Sequence, residues 1–345
     1  MRFSRLTFCA ALLCAGAALA QPSRQEIEAL AKRASGGQDQ AKTALEALAN
    51  GGETHAQNLL GVLVLAGKGF PRSDQRALEW FELAAAKGHV PAAHNLAVIR
   101  DRAKGTLHDA AEALRWFRFA AERGYARSQT ELGRILLAAG TERDATEGRE
   151  WLEKAVAQGQ PTARFLLGKL YLDGTGGVQR DLARGAELVR LAAEKGEAGA
   201  QYRLALLYGT GSGVEKDDRK AIEWLRKAAD QRHMDAQYLI AAAFTRGLYG
   251  QPRSPESAAE WLRRAAVQGH PGAEYELGVA YRTGRGVPKD LSQALGWFVK
   301  AAKSGHPEAL EIVRQIRETA KKQKGGEAVL PETREVPLGP EPAKQ

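Results

Sequence analysis

The six tryptophans of the chain stand in a single register. A phrase close to KAIEWLRKAA (220–229) surrounds them, and the steps are 35–37 residues once Leu188, which holds the same place in one copy, is counted. The tryptophans are Trp80, Trp116, Trp151, Trp224, Trp261 and Trp297. A period of 20–50 residues is typical of solenoids, propellers and other arrays. We therefore expect a chain built from copies of one structural unit.

The first half of each copy has the pattern of a helix that packs closely against another. Each copy has a closing glycine, with Arg232 as the exception, then a small residue four positions later and an aliphatic residue four further on, usually followed by Gly or Ala. These spacings keep the residues on one helical face. The closing residues are Gly52, Gly88, Gly124, Gly159, Gly196, Arg232, Gly269 and Gly305. Glycine costs a helix about 1 kcal/mol against alanine, so its recurrence beside the aliphatic residue predicts a close approach of a second helix.

The second half of each copy has the start and stop signals of another helix. Residues of preferred N-cap type precede the tryptophan phrase at Ser73, Asp109, Asp144, Asp181, Asp217, Ser254 and Asp290. Such side chains accept a free backbone N–H. Glu112, Glu147 and Gln293 stand three residues after their caps, which predicts capping boxes. Each copy is therefore predicted to be helix, short loop, helix.

Two segments now show a specific resemblance. AQYRLALLYGTGSGVEKDDRKAIEWLRKAADQ (200–231) and AEYELGVAYRTGRGVPKDLSQALGWFVKAAKSG (273–305) are similar to Sel1-like repeats, relatives of the tetratricopeptide repeat. The resemblance implies an all-α fold, an α/α superhelical solenoid of helix-turn-helix repeats. Copies two and three depart from the pattern, since Arg100 replaces a tyrosine and neither loop has Gly-x-Gly-Val. We expect their loops to differ and their helices to persist.

The predicted domain organisation follows from this register. A signal peptide at 1–20 and a helical half-repeat or cap at 21–54 precede the repeats. A capping helix at 306–324 and a disordered tail at 325–345 follow them. The seven repeats within 55–305 are 55–88, 89–124, 125–159, 160–196, 197–232, 233–269 and 270–305.

The N-terminal segment predicts export. Arginines, an apolar run from Leu6 and the small residues Ala18 and Ala20 are typical of a Sec-type signal peptide cleaved after Ala20. The run ends at Ala20 and is shorter than the ~20 residues of a membrane span, and lipidation at Cys14 is the alternative. Since both cysteines lie in this segment, the mature chain has no disulfide. We expect a periplasmic or secreted protein.

The net charge of the chain indicates which classes of partner are favoured. The chain has 50 Lys and Arg against 41 Asp and Glu, and removing Arg2 and Arg5 with the signal leaves 48 against 41, a net charge of +7. A modest basic excess on an exported protein favours acidic proteins or anionic envelope polymers over nucleic acid. The proline-containing tail at 325–345 predicts a solvated end, with a partner-binding peptide as the alternative.

No chemical motif in the sequence predicts catalysis, a cofactor or a metal. GTGSG (209–213) and DGTGGV (173–178) follow helices, whereas a dinucleotide-binding loop follows a strand. His89, His233, His270 and His306 recur once per repeat, too far apart for neighbouring layers to share a zinc ion, so we expect them to cap turns. Ser-x-x-Lys and Gly-x-Ser-x-Gly are absent from the sequence, and so are the paired cysteines of penicillin-binding relatives. An enzyme such as a β-lactamase is therefore disfavoured.

Aromatic residues also recur at one position of the first helix, at Phe165, Tyr202, Tyr238 and Tyr275. A stacking ladder for a ligand is one interpretation. Packing between helices is the other, and it is favoured because a solenoid interior is a continuous stack of equivalent layers.

Positions that vary between copies are the candidates for recognition. One stripe of the first helices differs from copy to copy; it consists of the residues two before, one after and five after the Gly or Ala position. We call it the variable stripe. By resemblance to tetratricopeptide repeats, it would line a concave groove. The candidate partner-binding residues on it are Asn95, Glu131, Arg134, Lys169, Arg203, Arg246 and Glu276. The basic members suit an extended partner segment with acidic side chains. We expect an exported, non-enzymatic scaffold for proteins or peptides in signalling or secretion, with a module for peptidoglycan or another anionic polymer as the alternative.

Overall fold

The computed structural model of the chain describes residues 22–102 and 105–322, so the predicted signal peptide and tail lie outside the described residues. The described residues form 17 α-helices, one 3-10 turn at Gly105–Leu107 and no β-strand. The prediction of an all-α repeat fold is confirmed. None of the helices in this described part is long and apolar enough to cross a membrane.

The chain divides into two compact units between Gln158 and Gly159. The first unit contains α1 (Arg24–Ser35), α2 (Asp39–Asn50), α3 (Thr54–Ala66), α4 (Asp74–Ala86), α5 (Val90–Arg102), α6 (Ala110–Glu122), α7 (Ala126–Ala139) and α8 (Glu142–Ala157). The second contains α9 (Pro161–Asp173), α10 (Leu182–Glu194), α11 (Ala198–Thr210), α12 (Asp218–Asp230), α13 (Met234–Arg246), α14 (Pro255–Val267), α15 (Pro271–Thr283), α16 (Leu291–Lys303) and α17 (Pro307–Lys322). Within each unit every helix packs against the next one along the chain. The segment predicted as half a repeat, 21–54, holds the two helices α1 and α2 before α3 begins.

The core of each repeat lies where the two helices approach most closely. The small residues four positions after the closing residue are fully buried, as Ala200 and Ala236 show, and so are the aliphatic residues Leu204 and Ile240. A Cβ on Gly168 would lie 2.9 Å from Val189 Cγ2 and 3.0 Å from the Gly185 carbonyl. The predicted close approach is therefore confirmed at this glycine.

The tryptophans are half-buried, and the residue after each one forms the core. Trp224 is partly exposed, whereas Leu225 is fully enclosed, and Phe81, Phe117, Leu152 and Phe298 occupy the same enclosed position in other copies. Trp224 packs against the buried clusters on both sides of it, and Lys227 Nζ lies 3.8 Å from the centre of its ring. The tryptophan therefore joins adjacent repeats at their surface.

Six of the seven predicted N-caps of the second helices are confirmed, and the prediction that Asp144 is a cap is wrong. Asp217 accepts from the Lys220 N–H, and its equivalents cap their own helices. At α8 the cap is Thr141, which accepts from the Asp144 N–H, so the helix begins earlier than expected. The copy-three loop is shorter than the others, and the cap position moves with it.

The predicted capping boxes at two of these helices are replaced by other contacts. Glu112 accepts from Trp116 Nε1 and pairs with Arg100 at 2.7 Å. Glu147 accepts from Trp151 Nε1 and pairs with Arg118. In both cases a guanidinium group and an indole N–H bind the carboxylate in place of the backbone N–H of the predicted cap, and at α8 the cap itself is Thr141.

The closing residues turn the chain from one repeat to the next. Gly196 and Gly269 have φ of 87° and 89°, and Arg232 has a φ of 65° where its relatives have glycine. The predicted turn-capping role is confirmed for three histidines. Nδ1 of His89, His233 and His270 accepts the N–H of the residue three positions on. His306 is different, since its Nδ1 lies 3.2 Å from Glu308 Oε2.

Buried glutamines bind the end of one helix pair to the start of the next. Nε2 of each donates to the carbonyl eight residues earlier, for example from Gln201 to Ala193 at 3.2 Å and from Gln237 to Ala229 at 3.1 Å. A second glutamine then donates to the first, as Gln231 does to Gln201 at 2.8 Å. Hydrogen bonds of this kind satisfy polar groups that the packing encloses.

The glycine loops are helix-to-helix turns that contact the preceding repeat. Gly213, with a φ of 71°, lies against the Leu182 carbonyl at the start of α10, where a Cβ would clash. Close packing of two backbones therefore requires glycine at the second glycine position of the Gly-x-Gly-Val loop, so the glycine has a structural reason that does not involve a phosphate.

Candidate functional site

A partly open cavity of about 520 Å³ lies on the first-helix face of the second unit. We call it the α11–α13 cavity, because α11 and α13 form most of it, with the end of α9 and the loop after α13 at its edges. Ligand pockets in proteins usually measure about 300–1,000 Å³. The cavity is therefore large enough for several side chains of a bound segment.

Apolar and aromatic side chains form most of the surface of the cavity. Leu206 and Leu239, one from each main helix, lie beside Tyr202, Tyr238 and Tyr249. Helical residues three and four apart share a face, and this spacing joins Arg203, Leu206 and Thr210 on α11 and Leu239, Ala242 and Arg246 on α13. Tyr202 and Tyr238 each stand one residue before these sets and also line the cavity. Such a surface favours the burial of an apolar group.

The tyrosines also hold the repeats together through ring stacking. The Tyr202 ring is stacked on His233 at 4.7 Å and the Tyr238 ring on His270 at 4.3 Å, centre to centre. Tyr275 is stacked on His306 at 4.4 Å and is buried. The predicted packing role therefore holds for the series, while Tyr202 and Tyr238 remain half-buried and line the cavity as well.

Tyr249 is a cavity residue that the sequence analysis missed. It lies in the loop after α13, has a φ of 52°, and its ring sits against Gly209 of α11, where a Cβ would come within 2.8 Å of its Cε1. The available signal was the loop of copy six, which lacks the usual Gly-x-Gly-Val. A non-glycine residue at positive φ is uncommon and often marks a constrained position.

Three arginines reach the cavity, and they differ in how well their donors are satisfied. Arg180 Nε donates to the Leu172 carbonyl at 3.1 Å, and Arg203 Nη2 pairs with Asp173 at 3.3 Å. Nε of Arg203 and Nη2 of Arg246 are enclosed and have no hydrogen-bond partner. A buried donor without a partner costs free energy, so these two guanidinium groups favour a ligand that supplies acceptors.

Burial fixes the protonation of the aromatic groups in the cavity. It raises the pKa of Tyr238 to about 12, an effect to which the nearby carboxylate of Glu276 adds. Burial also raises the pKa of Tyr202 and lowers that of His270, whose Nε2 lies 3.4 Å from Asp235. At neutral pH the two phenols are therefore neutral hydrogen-bond donors, and His270 is an uncharged ring.

Of the predicted partner-binding residues, those in the first unit are engaged with one another or with close neighbours. Asn95 Nδ2 donates to Asn58 at 2.9 Å. Arg134 pairs with Glu131 at 2.8 Å and with Asp101 at 3.4 Å. The positive charge of Arg134 is thus largely compensated inside the first unit.

The predicted residues in the second unit are divided by the cavity. Arg203 and Arg246 line it together. Lys169 is exposed on α9, with its Nζ 6.0 Å from the Phe165 ring, and Glu276 is half-buried on α15. In the described part of the chain, no group of three or more His, Cys, Asp or Glu side chains is arranged to hold a metal ion.

Comparison with known proteins agrees with this architecture. The Sel1 repeat matches seven times, at residues 54–89, 90–125, 126–160, 161–197, 198–233, 235–270 and 271–306. No curated protein matches the chain.

Two solved structures share both fold and sequence with it. A Sel1 repeat protein from Oxalobacter formigenes is 30% identical with a TM-score of 0.63, and the match covers 86% of this chain and 88% of that one. The protective antigen c5321 of uropathogenic Escherichia coli strains, which displays an SLR fold, is also 30% identical, with a TM-score of 0.59. That match covers 87% of this chain and 65% of the antigen. The chain belongs to the Sel1 repeat family.

Proposed function

We propose that this protein is an exported scaffold that binds partner proteins or peptides on the first-helix face of its repeats, chiefly in the α11–α13 cavity. The observation that carries the proposal is the pair of half-buried arginines, Arg203 and Arg246, with unsatisfied donors beside an apolar surface of ligand size. Sel1 repeats typically mediate protein binding, and this cavity places an apolar surface beside the two arginines.

The distribution of constant and variable positions supports this placement. Positions that are apolar in every copy, such as those of Leu204 and Leu225, are buried between helices, so a partner cannot contact them. The variable stripe supplies Arg203, Leu206, Leu239 and Arg246 to the cavity. Since hot spots of interfaces are rich in Tyr and Arg, the composition of the cavity fits protein recognition.

The proposals of export and of an acidic partner are based on the amino-acid sequence. The signal-like N-terminus, with cleavage after Ala20, motivates a periplasmic or secreted location, and the net charge of +7 after cleavage motivates an acidic partner. Peptidoglycan or another anionic polymer is the competing ligand. Because a polymer would be held by distributed charge, it does not need the apolar surface of the cavity.

A pull-down that separates these ligands also tests the binding face. The mature chain is incubated with periplasmic extract and, separately, with cell-wall sacculi. Lys169→Glu/Arg203→Glu/Arg246→Glu reverses three charges on the first helices, and Arg219→Glu/Arg226→Glu/Arg263→Glu reverses three exposed charges on the second helices as a matched control. Circular dichroism checks that both variants keep the helical fold.

The proposal predicts a discrete protein that is captured by the wild type and by the control variant and is lost with the first-helix variant. Raised salt should weaken capture, since exposed charge interactions are screened. Equal loss with both variants would indicate binding by net charge. Co-sedimentation with sacculi without any captured protein would favour the polymer and contradict the proposal.

A further inference from the structure

We infer that the α11–α13 cavity receives a large apolar side chain of an extended partner segment and binds, between Arg203 and Arg246, a carboxylate two residues away in the same segment. This inference rests on the proposed function, because it specifies what the scaffold recognises at that site. It commits to an acidic peptide with an apolar anchor, a ligand class defined by the chemistry of the cavity.

The apolar anchor follows from the side chains that line the cavity. Tyr202 and Tyr238 lie one repeat apart on equivalent positions, with Leu206 and Leu239 beside them and Tyr249 at the edge. The two stacked histidines hold the first pair of rings in place. Because these rings are fixed before a ligand arrives, little conformational entropy is lost when an apolar side chain packs on them.

The carboxylate follows from the unequal pairing of the arginines. Asp173 already occupies Nη2 of Arg203, while Nε of Arg203 and Nη2 of Arg246 are without a partner. The other carboxylate in the cavity, Asp235, faces His270. A ligand carboxylate can accept from two guanidinium groups at once and forms short, strong hydrogen bonds with them.

The position of these groups also determines the spacing in the ligand. Arg203 and Arg246 stand on neighbouring first helices, on the same face as Leu206 and Leu239. Consecutive side chains of an extended segment point to opposite sides. A side chain that reaches the leucines and a carboxylate that reaches the arginines on the same face therefore come from residues two positions apart.

Three synthetic peptides test the inference directly. The probes are acetyl-Gly-Ser-Phe-Ser-Glu-Ser-Gly-amide, the same peptide with the glutamate replaced by glutamine, and the same peptide with the phenylalanine replaced by alanine. Binding to the full mature chain is measured by isothermal titration and by NMR. We expect saturable binding of the first peptide and at least about tenfold weaker binding of the other two, since loss of one charge-assisted pair or one buried ring has this effect.

Variants locate the binding to the cavity. Arg246→Gln should weaken the first peptide about tenfold and leave the glutamine peptide unchanged. Arg134→Gln is the matched control, because Arg134 is a first-helix arginine of the other unit that is already paired with Glu131 and Asp101. Thr210→Trp, which adds a ring at an exposed position on the cavity edge, should block the peptide without removing a charge.

The outcomes separate this inference from the proposed function. Absence of saturable binding of the first peptide, equal binding of the glutamine peptide, or an unaltered affinity in Arg246→Gln overturns the inference. If a protein partner is still captured in any of these cases, the scaffold function stands without this ligand. If the peptide binds as expected and no protein is captured, the ligand chemistry stands and the scaffold proposal fails.

Discussion

At the scale of single residues, the buried glutamines show how one repeat is fastened to the next. Gln57, Gln129, Gln201 and Gln237 all donate to a carbonyl at the end of the preceding helix. In the seventh copy the same position is Glu274, which is 4% exposed, and its Oε2 has no hydrogen-bond partner. A glutamate side chain has no amide N–H to donate, so this junction lacks a bond that four others have.

We predict that Glu274→Gln stabilises the protein. The amide can donate to the Ala266 carbonyl, eight residues earlier, and it removes an enclosed acceptor without a partner, so the free energy of unfolding should rise by about 1–3 kcal/mol. Urea unfolding followed by circular dichroism measures the change. Gln237→Glu is the reverse control and should be destabilising by a similar amount. A Glu274→Gln variant that is less stable than the wild type would contradict this account of the junction.

A buried histidine makes a second residue-scale prediction. The His94 ring is 8% exposed, lies near the rings of Phe117 and Tyr125, and has its Nδ1 2.9 Å from Ser128 Oγ. Burial, with the charges of Arg127 and Arg102, lowers the pKa of His94 to about 4. The folded state therefore keeps His94 neutral at pH values where the unfolded chain takes up a proton.

Stability should consequently fall as the pH is lowered from about 6.5 to about 4, because the unfolded state binds more protons throughout that interval. A shift of one pKa unit corresponds to about 1.36 kcal/mol, so His94 should lower the free energy of unfolding by on the order of 3 kcal/mol over this interval. Urea unfolding at several pH values should show a shallower slope for His94→Gln than for the wild type. His108→Gln, at an exposed position, serves as the control with an unchanged slope. An identical slope in His94→Gln would show that the ring does not contribute.

At the scale of helices, the repeated tryptophan and the residue after it have different roles. Leu225 is fully buried in one core cluster, while Trp224 packs against that cluster and the one before it. Trp224→Ala should cost about 3 kcal/mol, the lower end for a large aromatic residue because the ring is half-buried. Since stacked repeats depend on their neighbours, hydrogen exchange should accelerate in α11 and α13 as well as in α12.

Leu225→Ala should lower the free energy of unfolding by about the same amount as Trp224→Ala. The faster hydrogen exchange should be centred on the helix pair that contains Leu225. Glu223→Ala, on the exposed side of the same turn, should change neither stability nor exchange. A local effect of Trp224→Ala, confined to α12, would indicate that the tryptophan does not couple the repeats.

The helices themselves could be predicted from the sequence because each signal is repeated. Seven aligned copies turn a weak preference for a cap or a small residue into a consistent pattern, and the pairs of helices follow from it. Prediction failed where one copy departs from the others. At α8 the shorter loop places Thr141 rather than Asp144 at the cap. Glu112 and Glu147 have the spacing of capping boxes, but nearby arginines and tryptophans compete for their carboxylates.

At the scale of the whole molecule, the candidate site was only partly predictable. The variable stripe identified Arg203 and Arg246, which lie at its first and its last position on neighbouring first helices. Periodicity could not indicate that Arg134 is also compensated by Asp101, because that pair depends on side-chain geometry between neighbouring helices. Nor could it indicate Tyr249, which reaches the cavity from a loop that has no equivalent in most copies.

The most direct measurement of the central claim is site-specific photo-cross-linking in the cells that naturally make the protein. A benzophenone amino acid is placed at Thr210, on the edge of the α11–α13 cavity, and in a separate strain at Glu223, an exposed position on the second helix α12. If the first-helix face of the repeats binds a protein partner, irradiation should yield a discrete cross-linked product from position 210 and none from position 223. Cross-linking from position 223 alone, or from neither position, would contradict the account.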